Sequence, residues 1–278
     1  MNSQNNFVYF GTPEVASETL AYLIEHGFTP ALVVTSPDAP RGRGLVLTPS
    51  PTKTLALAHS IPVITPTTLD EAAIDQIQKQ GCEYALCVAY GKIFPESLIA
   101  TFPKGVINVH YSLLPKYRGA TPLETALLSG ENETGVTIQK MVKELDAGDV
   151  IAQQSTEIGE TETARELRPR LIRMGAELLV NSLPGYLSGE LAPTPQDASL
   201  ATRAYKIKKG DGLLDLSAGA EENWYKYRAY ADSIGTYFFD NDKRIKITVA
   251  SYKNGTFTVE RVVPEGKREM AYSDFKKT

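Results

Sequence analysis

The apolar positions of this chain fall into short continuous runs separated by amphipathic stretches. Phe7-Val8-Tyr9-Phe10, Ala31-Leu32-Val33-Val34 and Tyr84-Ala85-Leu86-Cys87-Val88 are apolar at every position, the pattern of strands covered on both faces of a parallel sheet. Helical periodicity runs from Glu14 through Leu23, from Lys53 to His59 and from Leu69 to Gln80, with Thr68 as a candidate cap for the last. Strands alternating with helices predict an α/β fold built on a doubly wound, mainly parallel sheet. Ile61 to Ile64, Val106 to Val109 and Gly135 to Met141 add strands, Leu123 to Ser129 a short helix, and the stretch to Ile158 a strand back. Thr163 to Leu187 reads as one long helix with Leu167, Leu171, Met174, Leu178 and Leu179 on one stripe.

The pattern breaks into Pro-containing coil at Gly189-Glu190-Leu191-Ala192-Pro193-Thr194-Pro195. Beyond it, Asp215 to Asp232 reads as a helix. Thr236 to Phe239, Arg244 to Ser251 and Thr256 to Val263 read as strands joined by Asn241-Asp242 and Asn254-Gly255 turns. Short, evenly spaced strands predict a small β-barrel or partial barrel. The expected division is residues 1–189 for the α/β domain, 190–209 for a linker and 210–278 for the barrel.

At 278 residues the chain sits where single cores stop growing, at about 250 to 300 residues, so two domains are expected. Met1 to Asn6 is polar and uncharged, unlike a signal peptide, and no apolar run reaches spanning length. The expectation is a soluble, cytoplasmic monomer with no membrane partner. Cys82 and Cys87 suit neither a disulfide framework nor a zinc site and read as reduced and structural, so no metal is expected. The net charge of −4 argues at first against a nucleic-acid partner. However, from Arg203 onward there are 15 Lys and Arg against 11 Asp and Glu, leaving 14 against 22 in the rest. A basic C-terminal part beside an acidic remainder is the split expected if only one part meets phosphate.

Candidate chemistry lies between Gly105 and Asp149. Side chains alternate along a strand, so Asn108 and His110 leave theirs on the same side, with Cα atoms about 6.6 Å apart. The strand from Gly135 runs into Leu145-Asp146-Ala147-Gly148-Asp149, bringing a carboxylate on a glycine-containing turn. Singly these residues could be a strand cap, a core histidine and ordinary turn chemistry. Together, amide, imidazole and carboxylate form a usable catalytic set. The first turn, Gly11-Thr12-Pro13-Glu14-Val15-Ala16, lacks the later glycines of a dinucleotide fingerprint, and Pro13 is explained as a helix start. Ser36 to Lys53 is a long Pro-, Gly- and Arg-rich segment, and segments of this length without structure of their own are usually functional or disordered. Its Arg41-Gly42-Arg43-Gly44 offers two guanidinium groups suited to phosphates.

The run Asn108-Val109-His110-Tyr111-Ser112-Leu113-Leu114-Pro115-Lys116-Tyr117-Arg118-Gly119, followed by Thr134-Gly135-Val136-Thr137-Ile138 and the Asp146 turn, resembles the folate-dependent formyltransferases, most closely those acting on methionyl-tRNA. The resemblance implies a Rossmann-like formyltransferase domain followed by an oligonucleotide-binding (OB-like) barrel, with Glu269-Met270 matching the end of that module. It implies a formyl group passed from 10-formyltetrahydrofolate to initiator methionyl-tRNA, with Asn108, His110 and Asp146 as catalytic residues. The folate would lie against Ala89, Tyr90, Gly91, Ser112, Leu113, Leu114, Pro115 and Leu145, largely through backbone groups. Pro49-Ser50-Pro51 and Lys53 match a loop that enters the acceptor stem of the tRNA, which implies Arg43 as its probe; Arg41, Lys53, Lys208 and Lys209 complete the expected tRNA contacts. The C-terminal part departs from the family, being short and carrying Ala231 to Tyr237 where relatives tend to have N-P-W-P. Two other readings stand beside this one: formylation of a nucleotide-linked amino sugar by the same trio, and a folate- or tRNA-binding protein without transfer activity.

Overall fold

A computed structural model of the chain describes residues 6–42 and 44–277; Arg43 therefore lies outside the described residues. In chain order the elements are β1 (Phe7–Gly11), α1 (Glu14–Glu25), β2 (Leu32–Val34), β3 (Ala39–Arg41), β4 (Val46–Thr48), α2 (Pro51–Ala58), β5 (Val63–Ile64), α3 (Glu71–Gln78), β6 (Tyr84–Val88), α4 (Glu96–Ala100) and β7 (Val106–His110). They continue with β8 (Arg118–Gly119), α5 (Pro122–Leu128), β9 (Glu133–Lys140), β10 (Val150–Glu157), α6 (Ala164–Ser188) and β11 (Arg203–Ala204). The last are α7 (Ala220–Tyr230), β12 (Thr236–Asp240), β13 (Lys243–Lys253), β14 (Thr256–Pro264), β15 (Met270–Ala271) and α8 (Tyr272–Phe275). Among the described residues no helix is long and apolar enough to cross a membrane.

The chain folds into two compact units. Of the described residues, the first holds those up to Arg118 with Gly135–Gln154 and Leu171–Ala201; the second holds Gly119–Thr134, Ser155–Arg170 and those from Thr202 onward.

The apolar runs do become the centre of a sheet. Seven strands lie in the order β10-β9-β7-β6-β1-β2-β5. Pairing is parallel from β7 through β6, β1, β2 and β5, and β9 runs antiparallel to β7. Phe7, Val8, Tyr9 and Phe10 are fully buried, because this strand has a neighbour on each side and cover on both faces. The chain moves outward from β1 to β5 and returns to place β6 on the other side of β1. Such a reversal opens a crevice outside the carboxyl ends of the strands, where ligands of α/β sheets bind. The Ala89-Tyr90-Gly91 turn after β6 and the segment after β7 emerge at that end.

Two local expectations are corrected. Asp70, not Thr68, caps α3: its carboxylate accepts from the Ala73 amide at 3.0 Å, and the Thr68 hydroxyl donates to that carboxylate at 3.1 Å. A carboxylate one residue before the helix reaches the free amides directly, which leaves the threonine a supporting bond. The segment from Ser36 to Lys53 is not shapeless either. β3 and β4 pair as an antiparallel hairpin from Ala39↔Thr48 to Arg41↔Val46, and Ser50 caps α2 by accepting from the Lys53 amide at 3.0 Å. Pro51, with no amide hydrogen to lose, occupies the first helical position.

In the second unit β12, β13, β14 and β15 form a four-stranded antiparallel sheet. Its turns use Asn241 and Asp242 at φ 46° and 62°, and Asn254 and Gly255 at φ 50° and 73°, the double positive-φ geometry that suits the strand twist of tight hairpins. Trp224 and Tyr227 of α7 stack at 5.6 Å and pack with Leu214, Phe238, Ile245, Ile247, Val259 and Val262.

Candidate active site

β7 carries the site because its register sets polar residues side by side. Asn108 lies beside Cys87 of β6 and Gln139 of β9, and His110 lies opposite Thr137. Cross-strand partners project to the same face of a sheet, so Asn108, His110, Thr137 and Gln139 share one. Asn108 is half-buried. His110 is only 5% exposed.

The carboxylate arrives on the turn between β9 and β10. Lys140 donates from its amide to the Asp149 carbonyl at 2.9 Å, folding the turn back on the strand it leaves. Gly148 makes this possible, since a Cβ there would sit 1.6 Å from the Lys140 carbonyl oxygen. Asp146 itself has φ 52°, the left-handed region that costs a non-glycine residue energy. Tyr117 at φ 62° and Ala89 at φ 46° share this conformation. The Gln139 side-chain amide donates to Asp146 Oδ1 at 2.9 Å, and Nδ1 of His110 lies 3.7 Å from the same oxygen.

The other imidazole nitrogen determines the tautomer. His110 Nε2 is 2.9 Å from the Tyr117 carbonyl oxygen. A carbonyl only accepts, so Nε2 carries the hydrogen, and in the neutral ring Nδ1 presents a lone pair to the carboxylate. Burial pushes the His110 pKa down, partly offset by the Asp146 charge and the Tyr117 carbonyl. A lone pair facing a carboxylate is a place that welcomes one proton, because protonation turns repulsion into a charge-assisted contact. The pair is thus suited to take up one proton.

The expected folate-binding segments differ in what they present. Tyr90 is buried, its ring edge-on to Phe10 at 5.5 Å and to Phe94 at 5.9 Å. Ser112 is buried with its hydroxyl donating to the Lys116 carbonyl at 2.6 Å. Leu114 is buried, its amide donating to Thr137 Oγ1 at 3.1 Å and its carbonyl accepting from Gln153 at 2.9 Å. Leu113 and Pro115 are half-buried, and Ala89, Gly91 and Leu145 are exposed. With their side chains buried, Tyr90 and Ser112 offer a ligand main chain alone, whereas the Leu114 amide and carbonyl are already engaged.

Of the expected phosphate-binding residues, Arg41 is exposed at the end of β3, on a hairpin whose Leu45, Val46 and Leu47 are also exposed. Lys53 is held by Asp38, Nζ to Oδ1 at 2.7 Å. Lys208 and Lys209, in the second unit, are exposed at a single 3-10 turn where the Lys208 amide donates to Asp211 at 2.7 Å. Cys82 and Cys87 are buried free thiols, pushed by that burial up to about 11 and about 12, which keeps them unreactive.

Two glutamines near the Asp146 turn escape a reading of the sequence. Gln139 could have been found, since alternation from Thr137 places it on the polar face of β9. Gln196 stands in the Pro-containing coil read as linker, and no local pattern marks it.

The sequence pattern of the formyl transferase family matches residues 5–183. The methionyl-tRNA formyltransferase of Bdellovibrio bacteriovorus is 39% identical over 97% of this chain and 94% of its own length. In fold the chain is similar to the methionyl-tRNA formyltransferase from Clostridium thermocellum, with TM-score 0.63 at 17% identity over 93% of this chain and 98% of that one. It is also similar to an N-formyltransferase from Helicobacter canadensis solved with folinic acid and dTDP-3-aminofucose, with TM-score 0.66 at 20% identity over 96% and 98% of the two chains. A family pattern across more than half of the residues and a close relative along nearly all of them make this chain a member of the formyl transferase family, an enzyme akin to the methionyl-tRNA formyltransferases.

Proposed function

We propose that this enzyme transfers the formyl group of 10-formyltetrahydrofolate to the amino group of methionine carried on initiator tRNA. The observation that carries the reading is the His110–Asp146 pair, 3.7 Å apart on the face shared with Asn108. The long match to an enzyme of that name in Bdellovibrio bacteriovorus supports the choice of acceptor.

The amine attacks the formyl carbon, creating a tetrahedral centre with an oxyanion and a positively charged nitrogen. Asn108, half-buried, donates from its amide to the oxyanion. Loss of one such donor costs about 3 to 4 kcal/mol of transition-state stabilisation. The surplus proton passes to Nδ1 of His110 and the Asp146 carboxylate. The bond from the carbon to N10 then breaks as His110, with Asp146 balancing its charge, returns that same proton to N10, and formyl-methionyl-tRNA and tetrahydrofolate leave. Backbone groups at Ala89 to Gly91 and Ser112 to Pro115, with Leu145, receive the folate. Arg41, Arg43, Lys208 and Lys209 meet tRNA phosphates, and Lys53 is available for this once it is released from Asp38.

The test offers labelled formyl donor with charged initiator tRNA and, in a parallel reaction, a nucleotide-linked amino sugar. Label is expected on the methionyl-tRNA alone. Label on the amino sugar with none on the tRNA would replace the acceptor, and no transfer to either would remove the reading.

A further inference from the structure

We propose that Gln196 is a positioning residue for formyl transfer, clamping the Asp146 turn so that its carboxylate stays opposite His110; this rests on the roles given above to those two residues. Gln196 Nε2 is 2.9 Å from the Asp146 carbonyl oxygen and 2.7 Å from that of Gly148. An amide NH2 has two hydrogens, and both are directed at the turn. Its third contact, Gln139 Oε1 at 3.5 Å, is long. On the other side Gln196 Oε1 accepts from Arg118 Nε at 3.1 Å and Nη2 at 2.9 Å, from a guanidinium only 5% exposed.

The chemistry of the partners leaves one orientation for the amide. A guanidinium only donates and a carbonyl only accepts, so the oxygen must face Arg118 and the nitrogen must face the turn. No other uncharged or charged side chain of this length accepts from a guanidinium while donating to two carbonyls. Arg118 reaches the turn a second time, with Nη1 3.5 Å from Glu144 Oε1. The clamp is placed where the backbone needs restraint, because Asp146 is held at φ 52° and such conformations persist only when the surroundings over-determine them. Gln139 fixes the carboxylate and Gln196 fixes the backbone that carries it. Gln196 bonds the main chain of Asp146, so it acts through that residue and is not itself catalytic.

Gln196→Glu separates this role from simple support of Arg118. The carboxylate keeps the length and gives the buried guanidinium a countercharge, but it sets lone pairs against the Asp146 and Gly148 carbonyls. A residue needed only to anchor Arg118 would tolerate the change. A positioning residue predicts kcat lowered by about 10²-fold, with KM for both substrates within about twofold of the parent enzyme. If Gln196→Glu is unfolded by circular dichroism, Gln196→Ala, which leaves room for water at the carbonyls, carries the same expectation. Parent-like kcat in the folded variant overturns the proposal. His110→Ala is assayed alongside: an inactive His110→Ala with a parent-like Gln196 variant removes the positioning role alone, whereas an active His110→Ala removes the site assignment itself.

Discussion

Gln139 donates to Oδ1 of Asp146 at 2.9 Å, and that same oxygen is the one nearest Nδ1 of His110. With one lone pair engaged by the amide, the carboxylate is aimed at the imidazole rather than free to rotate. Burial holds the His110 pKa below its ordinary value, with the Asp146 charge pulling the other way. The acid limb of kcat/KM is therefore expected below the reference value of about 6.5. Asp146→Asn removes the opposing charge and moves that limb to still lower pH while reducing kcat. A pH-rate profile reads both, and an acid limb at or above the reference value would count against a buried neutral imidazole.

The same titration couples to stability. Because His110 has a lower pKa folded than unfolded, the unfolded chain binds the extra proton first. This contribution is present above about pH 6.5 and is lost as pH falls toward the folded value. Urea unfolding of the parent and of His110→Gln at several pH values isolates it. The parent should lose stability relative to the variant on acidification, and parallel curves would show that burial leaves the imidazole unaffected.

Asn108→Ala tests the oxyanion donor. The side chain is half-buried, so its loss should leave the thermal midpoint nearly unchanged. Turnover should drop by about 10² to 10³. A variant with parent-like kcat would remove Asn108 from the mechanism.

Gly148→Ala tests the architecture of the turn. The added methyl would stand 1.6 Å from the Lys140 carbonyl oxygen, a backbone clash that no rotamer relieves. The expected loss is about 3 kcal/mol or more in chemical denaturation, with activity falling as the turn shifts. A stable, active variant would mean that the turn does not lie on the end of β9 as described.

Arg41→Ala tests the hairpin as a phosphate contact. Arg41 is exposed at the end of β3, so removing its charge should raise KM for charged tRNA and leave that for the formyl donor unchanged. The slope of log affinity against log salt should shrink by about one phosphate contact. An unchanged slope would place the tRNA elsewhere.

The sequence alone determined the main strands and helices, from β1 and α1 to the long helix α6, and that Asn108 and His110 share a face. Those properties depend on local periodicity, which repeats every two residues in a strand and every 3.6 in a helix. The family wording from Asn108 to Asp149 was legible for the same reason: it is contiguous. The β3–β4 hairpin was not, because Ala39-Pro40-Arg41 has no apolar alternation and is held by pairing alone. Only the tertiary structure decided that Asp146 Oδ1 comes to 3.7 Å from His110, that Tyr117 claims Nε2, and that Gln196 returns 50 positions later to bond the Asp146 carbonyl. Contacts between residues so far apart in the chain arise when packed elements bring them together, and no periodicity within one segment encodes them.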